Sequence, residues 1–198
     1  MDTTLTIEQI ETAITGYPDS PYYIRTNIVI PNVDWGFLNH EADLLVLNKN
    51  KRLVEIEIKR SWSDFMADFK KSHTHNDKKL SRFYYAVPIN IAERVFYWLY
   101  DGEFKCNRRF VHYERSKVTG FTEHNPNRCG LIIYASNDEV GSRRNCPVAI
   151  INVPAEEMGD YKVSVEEELK LLRLLGMRIW NLKKKLSEYQ AEPNLFKK

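Results

Sequence analysis

The sequence predicts an α/β fold, a mixed β-sheet flanked by helices and followed by a long C-terminal amphipathic helix. Three observations carry that expectation. Short aliphatic or alternating runs bounded by turn residues recur as strands, "ADLLVL", "RFYYAVP" and "GLIIYAS" among them. Apolar residues at helical spacing return between several of these runs. The resulting order, α-β-β-β-α-β-α-β-β-α, opens on antiparallel strands and then alternates strands with helices. At 198 residues, 43% hydrophobic and 28% charged, the chain can build one well-cored domain, expected over residues 1–160, with a helical extension over 161–198.

Each element has a local reason. Thr6 stands three residues before Gln9, the spacing of a capping box, and Ile7, Ile10 and Ile14 recur at helical intervals. "YYIRTNIVIPNV" reads as a strand ended by Pro31. "ADLLVL" and "RLVEIEIK" flank the turn "NKNK" and read as a hairpin. In "SWSDFMADFKK", Ser61 or Ser63 caps a helix, Asp64 suits its first turn, and Phe65 and Phe69 lie one turn apart. "RFYYAVP" is the next strand and "INIAERVFYWLY" the next helix, with Tyr97 and Trp98 expected in the core. Residues 101–128 are polar and lack periodicity, so they read as an inserted or irregular excursion. "GLIIYAS" and "PVAIINV" are buried strands. From Val165 onward Leu169, Leu172, Leu175, Ile179, Leu182 and Leu186 mark a long amphipathic helix, which either docks on the domain or forms a homodimer contact.

Composition excludes several classes. A formal net charge of +2 rules out a gross polyelectrolyte. Apolar runs of only a few residues leave no transmembrane helix and no membrane partner, and "MDTTLTIEQIETAI" lacks the pattern of a secretory signal. Three cysteines (Cys106, Cys129, Cys146) without a CxxC pair predict reduced thiols and a cytoplasmic protein; their spacing to His112 and His124 matches no zinc pattern.

The hairpin carries the chemistry. Leu44, Val46, Val54, Ile56 and Ile58 are all aliphatic, so the even-numbered residues share the core face. In an antiparallel pair this requires partners whose numbers sum to an even value, with 100 the natural choice, which sets Leu45 opposite Glu55 and Asp43 opposite Glu57. Directly opposed Cβ atoms lie about 4.5–5.5 Å apart. Two carboxylates that close call for positive charge, and a hard divalent ion such as Mg²⁺ takes oxygen ligands from one or two carboxylates plus phosphate and water. The backbone carbonyl of Ile58 can supply a third ligand. Lys59, one step along the same face, can orient or deprotonate a water or neutralise a phosphoryl oxygen. The competing reading is a solvated face whose ion pairs contribute under about 1 kcal/mol.

Asp43 followed by "EIK" at the end of the next strand, in this element order, resembles the PD-(D/E)XK nuclease superfamily. The run "ADLLVL…LVEIEIKRSWSDFMADFKK…RFYYAVP" is similar to its MmcB-like DNA-repair branch, over residues 41–94. The resemblance implies a restriction-endonuclease-like fold and Mg²⁺-dependent hydrolysis of DNA phosphodiester bonds, with Mn²⁺ as substitute, in DNA repair or in phage or mobile-element DNA processing. It implies Asp43 and Glu57 as metal ligands and Lys59 as the catalytic lysine. An acid on the first helix often joins such sites, here Glu11 in preference to Glu8. The helix after the motif usually faces the substrate, which points to Ser61, Asp64, Lys70 and Lys71. Arg60 belongs to the cluster of basic residues around the motif, and Trp62, set among polar residues, is the better of the aromatic candidates for stacking on bases. Glu55 ranks as a solvated strand residue, an extra acid or a helix partner, and His40, His73 and His75 as solvated or capping. The alternative to a nuclease is a nucleic-acid-binding module that keeps the fold without turnover.

Overall fold

The computed structural model describes residues 5–33, 36–71, 75–106, 115–140 and 146–191. The elements are α1 (Ile7–Thr15), β1 (Ile28–Val33), β2 (Ala42–Leu47), β3 (Leu53–Ile58), α2 (Trp62–Asp68), β4 (Leu80–Pro88) and α3 (Ile89–Leu99). They continue with β5 (Tyr100–Glu103), β6 (Lys117–Phe121), β7 (Gly130–Ala135), a short α4 (Asn137–Val140), β8 (Val148–Val153) and α5 (Val165–Ala191). The chain divides into two compact units, Met1–Lys162 and Val163–Lys198, the second built on α5. No helix among the described residues is long and apolar enough to cross a membrane.

The first unit is built on a six-stranded mixed sheet ordered β1-β2-β3-β4-β7-β8. β1, β2 and β3 run antiparallel, β3, β4 and β7 run parallel, and β8 returns antiparallel to β7. The parallel steps are made by α2 and α3, since parallel neighbours need a crossover.

Side-chain parity sorts the two faces. Even-numbered residues Leu44, Val46, Val54, Ile56, Tyr84, Ala86 and Ile132 pack with Ile10, Ala13 and Ile14 of α1. The α1 start is the expected reciprocal box: Gln9 N–H donates to Thr6 Oγ1 at 3.3 Å, and Thr6 N–H to Gln9 Oε1 at 2.9 Å. On the other face Phe83, Tyr85, Val87, Leu131 and Ile133 meet Phe65 of α2 and Ala92, Val95, Phe96 and Leu99 of α3. Each large side chain so buried contributes about 1.5–3 kcal/mol relative to exposure. Because β3 lies inside the sheet with both faces covered, all six of its residues are buried.

Three expectations are corrected. Pro31 does not end the first strand; it sits within β1 opposite Leu44, tolerated because β1 is an edge strand with a side free of ladder bonds. Within 101–128 the described residues form part of a two-stranded antiparallel ribbon, β5 with β6. Tyr97 is 53% exposed on the outer side of α3. Trp98, by contrast, packs against the core as expected, half-buried beside the α2–α3 cluster and stacked on His124 at 3.9 Å.

Gly130 opens β7 where the backbone runs against the Tyr84 ring. A Cβ there would lie 2.3 Å from Tyr84 Cε1 and 2.6 Å from the Ala155 nitrogen. Gly130→Ala is therefore expected to destabilise the domain by at least about 1–3 kcal/mol through overpacking, read from urea denaturation at unchanged m.

Candidate active site

The hairpin pairs as parity requires: Leu44 with Ile56, Leu45 with Glu55, Val46 with Val54 and Leu47 with Leu53. Every pair sums to 100, and one further step sets Asp43 against Glu57. Its turn is closed by Asn48, whose side-chain oxygen accepts the N–H groups of Asn50 (2.9 Å) and Arg52 (3.1 Å) while Lys51 takes a φ of 61°. Asp43 Oδ2 accepts the Ile58 N–H at 2.8 Å, which ties the acid to the end of β3.

Both carboxyls are pushed above the usual carboxylate range. For Asp43 the leading cause is burial, partly offset by the Ile58 N–H and by the charges of Lys59 and Lys71. For Glu57 it is burial, then the charge of Asp43, which together outweigh Lys59. Glu57 Oε2 is buried and has no hydrogen-bond partner among the described residues. A carboxylate oxygen so orphaned is costly unless another ligand takes it. A buried acid raised further by its neighbour's charge, with one bare buried oxygen, fits a hard divalent cation. Glu11 is half-buried and raised by burial, by Glu8 and by Asp43, so it stands within electrostatic reach of the pair. Glu8 is solvent-exposed.

Lys59 is 3% exposed and clamped. Its Nζ donates to Glu57 Oε1 at 2.8 Å and to Asp68 Oδ1 at 2.9 Å. Burial opposes its charge, but Glu57 and Asp68 outweigh burial and raise its pKa. Asp68, on the inner side of α2, also accepts Lys71 Nζ at 2.7 Å and the Tyr85 hydroxyl at 3.0 Å. Behind it the network continues through His75 Nε2 to Asp68 Oδ2 (2.9 Å), His75 Nδ1 to Glu55 Oε1 (2.6 Å), and His40 Nε2 to Glu55 Oε2 (2.8 Å). His40, Glu55, His75 and Asp68 are all buried, and the His75 ring stacks on Phe83 at 4.4 Å. The expectation that His40 and His75 are solvated or capping is thus overturned, and of the three readings of Glu55 the solvated one falls, because α2 and His75 cover this face of β3. His73 lies outside the described residues, as do Trp35, Arg108, Arg109, His112, Arg143 and Arg144.

Charge in the cluster balances without Asp43. Glu55, Glu57 and Asp68 are matched by Lys59, Lys71 and His75. Burial works against the ionised forms of Glu55 and Asp68, yet hydrogen bonds and charge from the histidines and lysines hold both below the usual range. For His75 burial opposes the charged ring, while the hydrogen bonds to Asp68 and Glu55 lift its pKa to about 9. A base raised in the folded state stabilises it fully below its unfolded pKa, about 6.5, and loses that contribution as pH rises through about 9. Denaturant titrations of the wild type are expected to show stability falling from pH 6.5 to 9, by up to about 1.4 kcal/mol per pH unit. His75→Gln is expected to be less stable at pH 6 and to lack that slope.

The remaining sequence candidates are placed as follows. Ser61 is the N-cap of α2, its Oγ accepting the Asp64 N–H at 3.1 Å, and Asp64 Oδ2 accepts the Arg60 N–H at 2.9 Å. Arg60 is exposed and donates to the Leu5 carbonyl at 3.2 Å. Lys70 is exposed just past α2, and Lys71 is turned back onto Asp68. Trp62 is half-buried at the start of α2. The Arg94 guanidinium lies 3.8 Å over its ring, which also packs on Phe65 and Trp98. Among the described residues Cys106, Cys129 and Cys146 form no disulfide; burial pushes Cys129 up to about 12, as suits an unreactive core residue. A cleft of about 300 Å³ opens beside Asp68, Lys71 and His75, walled by Phe69, Tyr85 and His124.

No family model matches the chain, and no curated protein matches it. Among solved structures it is similar to the SPO1766 protein of unknown function from Silicibacter pomeroyi, at 14% identity and a TM-score of 0.52. That match covers 98% of this chain and 99% of the other. At that identity the likeness speaks for a shared fold alone.

Proposed function

We propose that this protein is a metal-dependent nuclease with a restriction-endonuclease-like core, hydrolysing phosphodiester bonds in DNA. The observation that carries the reading is the meeting of Asp43 and Glu57 at the end of β3, one buried Glu57 oxygen without a partner, with the Lys59 ammonium 2.8 Å from the other. Asp43, Glu57 and the Ile58 carbonyl are the groups that would hold Mg²⁺ or Mn²⁺, with Glu11 close to Asp43. Once bound, such an ion activates water and offsets charge developing on the phosphoryl oxygens.

The chain's own residues supply the rest. Lys59 has three N–H donors, and Glu57 and Asp68 take two of them. The third can meet a phosphoryl oxygen, where a fixed buried cation stabilises negative charge better than a solvated one. Arg60, Lys70 and Lys71 follow the motif in sequence, and Lys71 Nζ lies 3.9 Å from Glu57 Oε1, a positive charge beside an acidic centre that by itself repels a phosphate backbone. DNA binding without turnover is the second reading, and what favours it is the double clamp that already neutralises Lys59.

Cleavage of plasmid, linear duplex, single strand, flap and four-way junction DNA, each with Mg²⁺ or Mn²⁺, tests the proposal. Wild type is expected to cut at least one substrate, and Lys59→Ala to cut it about 100- to 1000-fold more slowly. Equal rates in wild type, Lys59→Ala and Asp43→Ala, purified alike, would mean a contaminant. Salt-dependent DNA binding with no cleavage would leave the second reading.

A further inference from the structure

Lys59 reaches Glu57 from two residues away, its Nζ donating to Glu57 Oε1 at 2.8 Å and to Asp68 Oδ1 at 2.9 Å, with no ion pair to Asp43 among the described residues. Asp68 is thus the second carboxylate that holds it. Resting on the nuclease reading above, we propose that Asp68 is a positioning residue that holds the Lys59 ammonium beside the cation seat of Asp43 and Glu57. His75, Glu55 and His40 brace it from behind.

The bracing follows from donors and acceptors. Asp68 Oδ1 takes both lysines, Lys59 and Lys71, and Oδ2 takes His75 and the Tyr85 hydroxyl. With both oxygens engaged, the carboxylate cannot turn. Both ring nitrogens of His75 face carboxylate oxygens, so both carry protons and the ring is an imidazolium. Glu55 in turn spends one oxygen on His75 and the other on His40. The series is buried throughout, which makes each charge-assisted bond strong and each missing partner costly.

The same geometry argues against a second metal at His40, Glu55 and His75, although their ligand atoms lie within 4.8 Å of one another. The N···O distances of 2.6 and 2.8 Å are hydrogen bonds, and an imidazolium has no lone pair to give.

A lysine side chain has enough rotamer freedom to follow whichever carboxylate attracts it most. Without the Asp68 charge, Lys59 is left with Glu57 and Asp43, and its ammonium competes with a divalent ion for them. Asp68 therefore acts on cation binding through Lys59, at a distance from the ion itself.

The test uses the full chain with ¹⁵N-labelled lysine, following the Lys59 ammonium signal by NMR and Mn²⁺ affinity by calorimetry. Asp68→Asn is expected to shift or broaden the Lys59 signal and to weaken Mn²⁺ binding about tenfold. Adding Lys59→Ala to Asp68→Asn is expected to bring the affinity back to that of Lys59→Ala alone. Tyr85→Phe, which removes one hydrogen bond to Asp68 and keeps the ring, is expected to move the Lys59 signal the same way to a smaller extent, so a poorly folding Asp68→Asn does not decide the matter. An unchanged Lys59 signal in both variants overturns the proposal, as does a double variant that binds Mn²⁺ no better than Asp68→Asn. If wild type binds no Mn²⁺, the nuclease reading falls, and the Lys59 signal alone then decides the clamp.

Discussion

Asp43→Asn is expected to abolish Mg²⁺ and Mn²⁺ binding while making the metal-free protein more stable. The asparagine oxygen can still accept the Ile58 N–H that Asp43 Oδ2 accepts at 2.8 Å, so the end of the hairpin stays tied. What disappears is a half-buried charge beside Glu57. Both acids are raised in the folded state, first by burial, and Glu57 next by Asp43 itself. An acid raised on folding costs stability once pH exceeds its unfolded pKa, so at neutral pH the pair works against the fold. Relieving it is worth about 1 kcal/mol, a rise in Tm of about 2–4 °C for a domain of this size. Adding Mn²⁺ should then raise the Tm of the wild type and leave that of Asp43→Asn unmoved. A variant less stable than wild type in chelator would show that Asp43 is structural and not a ligand.

Glu55→Ala is expected to be the most damaging single change to stability, at about 3–5 kcal/mol. Glu55 is fully buried and accepts from both His40 and His75, so its removal strands an imidazolium and a second buried ring together. The loss should appear in urea denaturation without added metal, and chelator should not change it. A loss below about 1 kcal/mol would mean that the two rings find other partners.

How far this site could be read from sequence depends on which residues lie close along the chain. Strand parity limited the hairpin to even sums, and the natural choice of 100, which the structure has, sets Leu45 against Glu55 and so brings Asp43 to Glu57. The Thr6–Gln9 box, the Ser61 cap and the start of α5 at Val165 are equally local. Glu55 was harder. Its place on the same face as Glu57 was visible, but a carboxylate there looks solvated until one knows that β3 is an interior strand covered by α2. The signals for its partners, His40 just before β2, His75 after α2, and Asp68 one turn past Asp64, are single residues without periodicity. Only the fold brings residues 40, 55, 68 and 75 together. The β5–β6 ribbon escaped for another reason: "YDGE" and "KVTGF" lack an apolar alternation, since most of their residues are exposed or half-buried.

The central claim is that Asp43 and Glu57 hold a divalent cation, and crystals grown with Mn²⁺ test it most directly. An anomalous difference map is expected to show a peak between the two carboxylates, in reach of the Ile58 carbonyl, with Lys59 still on Asp68. Bare carboxylates with no peak there, or manganese bound instead by His40 and His75, would contradict the account.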